Sequence, residues 1–168
     1  MRILLAISRA IDALNTFIGR RVSWLILAAV VVSAGNAIVR KAYNWSSNSL
    51  LETQWYLFGA VFMLAAPYAL LKNEHIRIDI LASRLSRRAR DRIEVFGHVA
   101  MLLPLCAIMS YLCWTFFYKA ITSGEMSGSE GGLVLWPARL AIFLGFVLLL
   151  AQGISELIKR VAAMRGLI

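Results

Sequence analysis

The run NEHIRIDILASRLSRRARDR, residues 73–92, is the long polar interruption in a chain that is otherwise strongly apolar. Six arginines fall inside it and Lys72 stands just before it. It also contains Glu74-His75-Ile76-Arg77-Ile78-Asp79, the densest mixed-charge cluster of the sequence. On each side lie two apolar runs long enough to cross a membrane. The stretch therefore reads as the joint between two pairs of membrane spans.

Composition supports lipid as the outer solvent. Hydrophobic residues make up 60% of 168 residues and the mean hydropathy is +0.72, well above an ordinary soluble domain. One small core could not hide that much apolar surface. The net charge of +9 would suit nucleic acid, but the basic residues flank the apolar runs and no nucleic-acid-binding signature accompanies them. Cys106 and Cys113 are seven residues apart on one expected helix, a rise of about 10 Å, too far for a disulfide. They read as small apolar packers.

Along the chain, Leu4, Ile7, Ile11, Leu14 and Ile18 form an apolar stripe interspersed with Arg2, Arg9 and Asp12. That period predicts an amphipathic helix over 1–21 lying in the membrane interface. A cleaved leader is not expected, because the first apolar run breaks at Arg9 and no small-residue cleavage site follows. The first span, 22–39, has eighteen uncharged residues, or about 27 Å of helix. Asn36 near its end needs a partner on a neighbouring helix, and Arg40 and Lys41 close it. The second span, 55–71, is entered through Leu51, Glu52 and Gln54 and contains Pro67. Within 72–92 the alternation of His75 to Ile80 has the period of a strand. With nothing to pair with, the segment reads instead as an interfacial helix or helix plus turn. The third span, 95–118, contains His98 and Pro104 and ends in an aromatic belt. A Gly/Ser-rich loop over 122–132 leads to the fourth span, 138–158, with Pro137 suited to a first helical turn and Arg139 able to snorkel outward.

Fourteen of the eighteen Lys and Arg lie in the N-terminal segment, the 72–92 joint and the C-terminal tail; Arg40, Lys41, Lys119 and Arg139 occupy the other connections. By the positive-inside rule both termini and the joint are cytoplasmic. The expected fold is one all-α integral membrane domain over 1–168. Four transmembrane helices form two hairpins, joined by an interfacial cytoplasmic joint.

Groups able to carry chemistry are few. No phosphate loop, Ser-His-Asp set or zinc spacing is present. His98 is expected to hydrogen-bond across helices, and Glu52 to pair with Arg40 and fix the first hairpin. Glu74, His75, Arg77 and Asp79 read either as a solvated turn with weak local pairs or as a docking element for protein or lipid headgroups, anionic or phosphatidylethanolamine.

Several features resemble the small membrane subunit of tripartite ATP-independent periplasmic (TRAP) transporters. They are Asn36-xxx-Arg40, Asn44-x-Ser46-Ser47, Leu51-Glu52 and above all Glu74-His75-Ile76-Arg77-Ile78-Asp79, followed by Ser127-x-Ser129, Leu135-Trp136-Pro137 and Gly145-Phe146. Thr53-Gln54 departs from the hydrophobic run usual after Glu52. The resemblance covers roughly 20–160. It implies an accessory, non-enzymatic scaffold without cofactor, in the inner membrane. The partners would be a large membrane subunit of about twelve spans and a periplasmic substrate-binding protein, in a sodium-driven system importing a small carboxylate. Asn36, Arg40, Glu52, Glu74, His75, Arg77 and Asp79 would then serve assembly. A self-sufficient four-helix transporter using Glu52 or His98 is the alternative, as is a membrane anchor for a cytoplasmic protein.

Overall fold

A computed structural model describes residues 2–43, 47–72 and 87–164. Their regular structure is helical: α1 Arg2–Tyr43, α2 Asn48–Lys72, α3 Arg87–Gly97, a π turn His98–Leu102, α4 Leu103–Ser123 and α5 Trp136–Met164. The α3–π–α4 segment is continuous, so four helices are long and apolar enough to span a membrane. Each extends beyond the interval expected from sequence, because polar termini continue a helix when side chains or neighbours satisfy their backbone groups.

α5 is the central element and packs on α1, α2 and the α3–α4 helix. Glycines set the approach. A Cβ added to Gly145 would meet the Met63 Cβ at 2.7 Å and the Met63 carbonyl oxygen at 2.9 Å. At Gly19 it would collide with the Tyr68 ring, and at Gly153 it would press on Leu102 and Leu103 at 3.1 Å. Small residues at these crossings let backbones come close, which is how helices gain contact energy where lipid offers no hydrophobic drive.

The inward faces follow a seven-residue period. In α1 the buried positions are Ser8, Asn15, Val22, Ala29 and Asn36, and in α4 they are Cys106, Cys113 and Ala120. Side chains repeating every seven residues stay on the seam between slightly supercoiled helices. Both cysteines are free and buried, in keeping with a packing role.

The N-terminal segment differs from expectation. α1 continues without a break through 21 and 22 for 42 residues, about 63 Å, so 1–21 is not a separate interfacial helix. Its amphipathicity is used in reverse. Ser8 and Asn15 are buried, whereas Ile3, Leu4, Ile7, Leu14 and Phe17 face outward. The polar side finds hydrogen-bonding partners on α5, and the apolar side is left to an apolar exterior.

Pro104 accounts for the π turn. In an unbroken α-helix its ring would clash with the carbonyl four residues back. Widening to an i→i−5 bond, from the Leu103 N–H to the His98 carbonyl, accommodates one extra residue. At the far end of α4, Gly124 adopts the left-handed conformation (φ 61°) that stops helices with least steric cost.

The glycine crossings give a test with opposite signs. Gly145→Ala should lower the thermal midpoint of the purified protein, with a cost of about 1–3 kcal/mol for overpacking. Gly59→Ala, with nothing within 4 Å of the added carbon, should leave it unchanged or raise it, because alanine favours a helix by up to about 1 kcal/mol over glycine.

Candidate functional site: two polar clamps on the central helix

At the loop end of the bundle, α2, α4 and α5 are tied to residues 124–135. Arg139, on the first turns of α5, is 8% exposed. It makes a bidentate pair with Glu125, both N–H···O distances being 2.8 Å. Its guanidinium also stacks 3.8 Å from the Phe116 ring centroid and donates to the Phe116 carbonyl at 3.3 Å. Outward snorkelling, expected from sequence, does not occur; the planar fork is better satisfied by a carboxylate, an aromatic face and a backbone carbonyl of α4 together. The Arg139 hydrogen bonds hold the Glu125 carboxyl below the usual glutamate range, helped by the charges of Arg139 and Lys119.

Glu52 performs the second half of this clamp. It accepts the Leu133 backbone N–H at 2.8 Å and the Ser127 hydroxyl. The expected Arg40 partnership is therefore replaced by one to the loop: Arg40 is exposed, while the Leu133 N–H would otherwise lack an acceptor. Ser127 N–H donates to the Leu133 carbonyl at 2.8 Å and Leu135 N–H to that of Glu125 at 3.0 Å. Asn48 and Ser49, at the start of α2, donate to the carbonyls of Glu130 and Gly131. Gly131, at φ 67°, supplies a turn conformation that side chains disfavour.

At the other end, α1 and α5 share a network that no single sequence motif announces. Gln152, fully buried, is its hub. It accepts from Asn15 Nδ2 at 2.7 Å and donates to Asp12 Oδ1 and Glu156 Oε1, each at 2.9 Å. Ser155 donates to Asp12 at 2.7 Å and lies 2.7 Å from the Ser8 hydroxyl. Lys159 bridges Asp12 at 3.1 Å and Glu156. The next residue, Arg160, pairs with Glu94 of α3 at 2.5 Å. Two carboxylates sharing one ammonium, with amides and hydroxyls filling most remaining positions, form a set that locks helix register, although the buried Asn15 Oδ1 has no partner among the described residues. The signal available in the sequence was the seven-residue spacing of Ser8 and Asn15, matched by Gly145, Gln152 and Lys159.

Two other groups, His98 and Asn36, depart from expectation. His98 does not bond across helices. Its Nδ1 lies 2.8 Å from the Glu94 carbonyl of its own helix, and its buried Nε2 has no partner among the described residues. Asn36 is buried, yet its Oδ1 likewise lacks one, as does the Tyr56 hydroxyl. Glu74, His75, Arg77 and Asp79 lie outside the described residues. Among those residues no group of three His, Cys, Asp or Glu is placed to hold a metal ion.

Both clamps can be tested. A carboxyl depressed in the fold contributes stability above its unfolded pKa and loses it as pH falls through the folded value. The Glu125–Arg139 pair should therefore persist at neutral pH and release only below the ordinary glutamate range. Fluorescence of Trp136 followed into acid should show that transition, and Glu125→Gln should abolish it. Gln152→Leu strips partners from Asn15, Asp12 and Glu156 at once. It should cost about 2 kcal/mol or more, and a thermal double-mutant cycle with Asp12→Asn should be non-additive.

Comparison with known proteins gives one assignment. No curated protein and no solved structure matches the chain. Residues 29–163 match the family described as tripartite ATP-independent periplasmic transporters, DctQ component, and that stretch holds the loop clamp and all of α5 but its last residue, and begins after Ser8, Asp12 and Asn15. With most of its length matched and four helices able to span a membrane, this chain belongs to the DctQ family, the small membrane component of TRAP transporters.

Proposed function

We propose that this chain is the scaffold subunit of a sodium-coupled importer of a small carboxylate. It would lie in the inner membrane beside a large transporting subunit and receive no cargo itself. The carrying observation is where its charge goes. Asp12, Glu52, Arg139 and Glu156 are buried or half-buried, and each is bonded within the chain. Such commitment serves register, and leaves these groups unavailable for a substrate carboxylate or a moving ion. Meanwhile large side chains such as Trp24, Trp55, Phe62 and Tyr111 face outward, as they must against lipid or a partner's helices.

The distribution of basic residues supports a topology with both termini and the joint in the cytoplasm. The clamped loop 124–135 would then face the periplasm and meet a substrate-binding protein. Glu52 and Arg139 act as positioning residues for that loop. Within the joint, Glu74, His75, Arg77 and Asp79 serve assembly, as do Asn36 and Arg40 near the outer end of α1, with anionic or phosphatidylethanolamine headgroups filling the remaining contacts.

Proteoliposome uptake of radiolabelled pyruvate and lactate under a sodium gradient separates the readings. The chain alone should give none, and uptake should appear only with the large subunit and binding protein present. Flux through the chain alone would instead establish the self-sufficient transporter, in which Glu52→Gln or His98→Gln abolishes it. In a pull-down with the large subunit, charge reversal at Arg77 or Asp79 should weaken capture more than reversal at Arg87 or Arg88. Equal effects would reduce the cluster to an orientation signal.

A further inference from the structure

The π turn does more than accommodate Pro104. Counting back along an α-helix from the seam residues Cys106, Cys113 and Ala120, every seventh residue falls at 99 and then at 92. The observed seam is different. His98 is half-buried while Val99 is 49% and Met101 70% exposed, and Glu94 reaches Arg160 on α5. The extra residue in the turn has rotated α3 by one position, about 100°, relative to α4. The Glu94–Arg160 pair thus exists only in this register.

The register carries a cost at the same place. His98 gives its Nδ1 position to the Glu94 carbonyl and thereby presents Nε2 as an acceptor, buried and without a partner among the described residues. An unmade bond there is expensive, since water cannot reach it. In the unwidened register Val99, an apolar side chain suited to a seam, would take its place. His98 would turn outward, six residues from the exposed Arg92, near the rim where water is available. Gly153 lies against Leu102 and Leu103, so α5 offers a flat surface over which the turn can rewind.

We propose that His98–Leu102 is a two-register joint: α3 rotates about α4 by gain or loss of the π turn. Pro104 and Glu94–Arg160 favour the widened state, and the unpaired His98 nitrogen opposes it. Exchange between these states changes which face of α3 meets α5 without altering α4.

Spin labels at Arg92→Cys and Met164→Cys, both exposed positions, report the rotation, which moves a surface side chain by about 8 Å. Cys106 and Cys113 are replaced by alanine throughout, and the chain is measured with its large subunit in lipid nanodiscs. Two inter-label distances are expected. His98→Leu, which removes the unpaired acceptor, should collapse them to one, that of the widened register. Pro104→Ala, which removes the need for the π turn, should favour the other. A single distance in the parent, or populations unmoved by His98→Leu, would overturn the proposal even if Pro104→Ala failed to fold.

Discussion

Helices in a membrane receive no push from water, so what draws them together must be contact and hydrogen bonding. In this chain much of that runs through α5, beside the direct packing of α1 on α2 at Gly19 and Tyr68. Gly145 lets α2 approach, Gly153 meets the start of α4, and Gln152, Ser155 and Lys159 bind α1. The helix has few outward-facing large side chains; Leu144, Ile154 and its end residues Trp136 and Met164 are the exceptions. A substitution on α5 therefore acts on several interfaces at once, whereas one on the outer face of α1 meets only what surrounds the bundle.

The two clamps solve different problems. The loop clamp satisfies backbone. Glu52 takes up the Leu133 amide, which the irregular segment leaves open, and Arg139 holds Glu125 of the same loop while bonding the Phe116 carbonyl of α4. It needs charged side chains because a carboxylate can accept several donors and a guanidinium can supply them. The α1–α5 network satisfies side chains instead, and its value is register. Shift either helix by one residue and Asp12, Asn15 and Gln152 lose one another together.

Much of this architecture was legible in the sequence. The four spans follow from uncharged runs between Arg40, Lys72, Lys119 and Lys159, since hydrophobicity and helix length are properties of consecutive residues. Pro137 at the head of α5 followed from proline's missing N–H. What escaped were pairings between residues far apart in sequence. Glu52 had Arg40 nearby across a short connection, and only the folded loop shows that Ser127 and Leu133 come closer. In the first segment the amphipathic period was correct, but the polar face is packed on α5 where an interfacial helix would have turned it to water. Periodicity reports that a helix has two faces; which face is buried depends on the surroundings. His98 was misjudged for a related reason, because a π turn adds an unsignalled residue to the helical count.

The two long helices flanking α5 also differ in mechanical character. α1 runs for 42 residues with an unbroken backbone ladder from Arg2 to Tyr43. It should behave as a stiff rod, carrying a push or twist from one end of the bundle to the other. The α3–α4 helix is of comparable reach but contains a widened turn beside a proline, where bending and torsion are cheapest. A load applied evenly to both ends of the protein would thus be transmitted along one flank and absorbed on the other. The bundle is asymmetric in compliance although its helices are alike in composition.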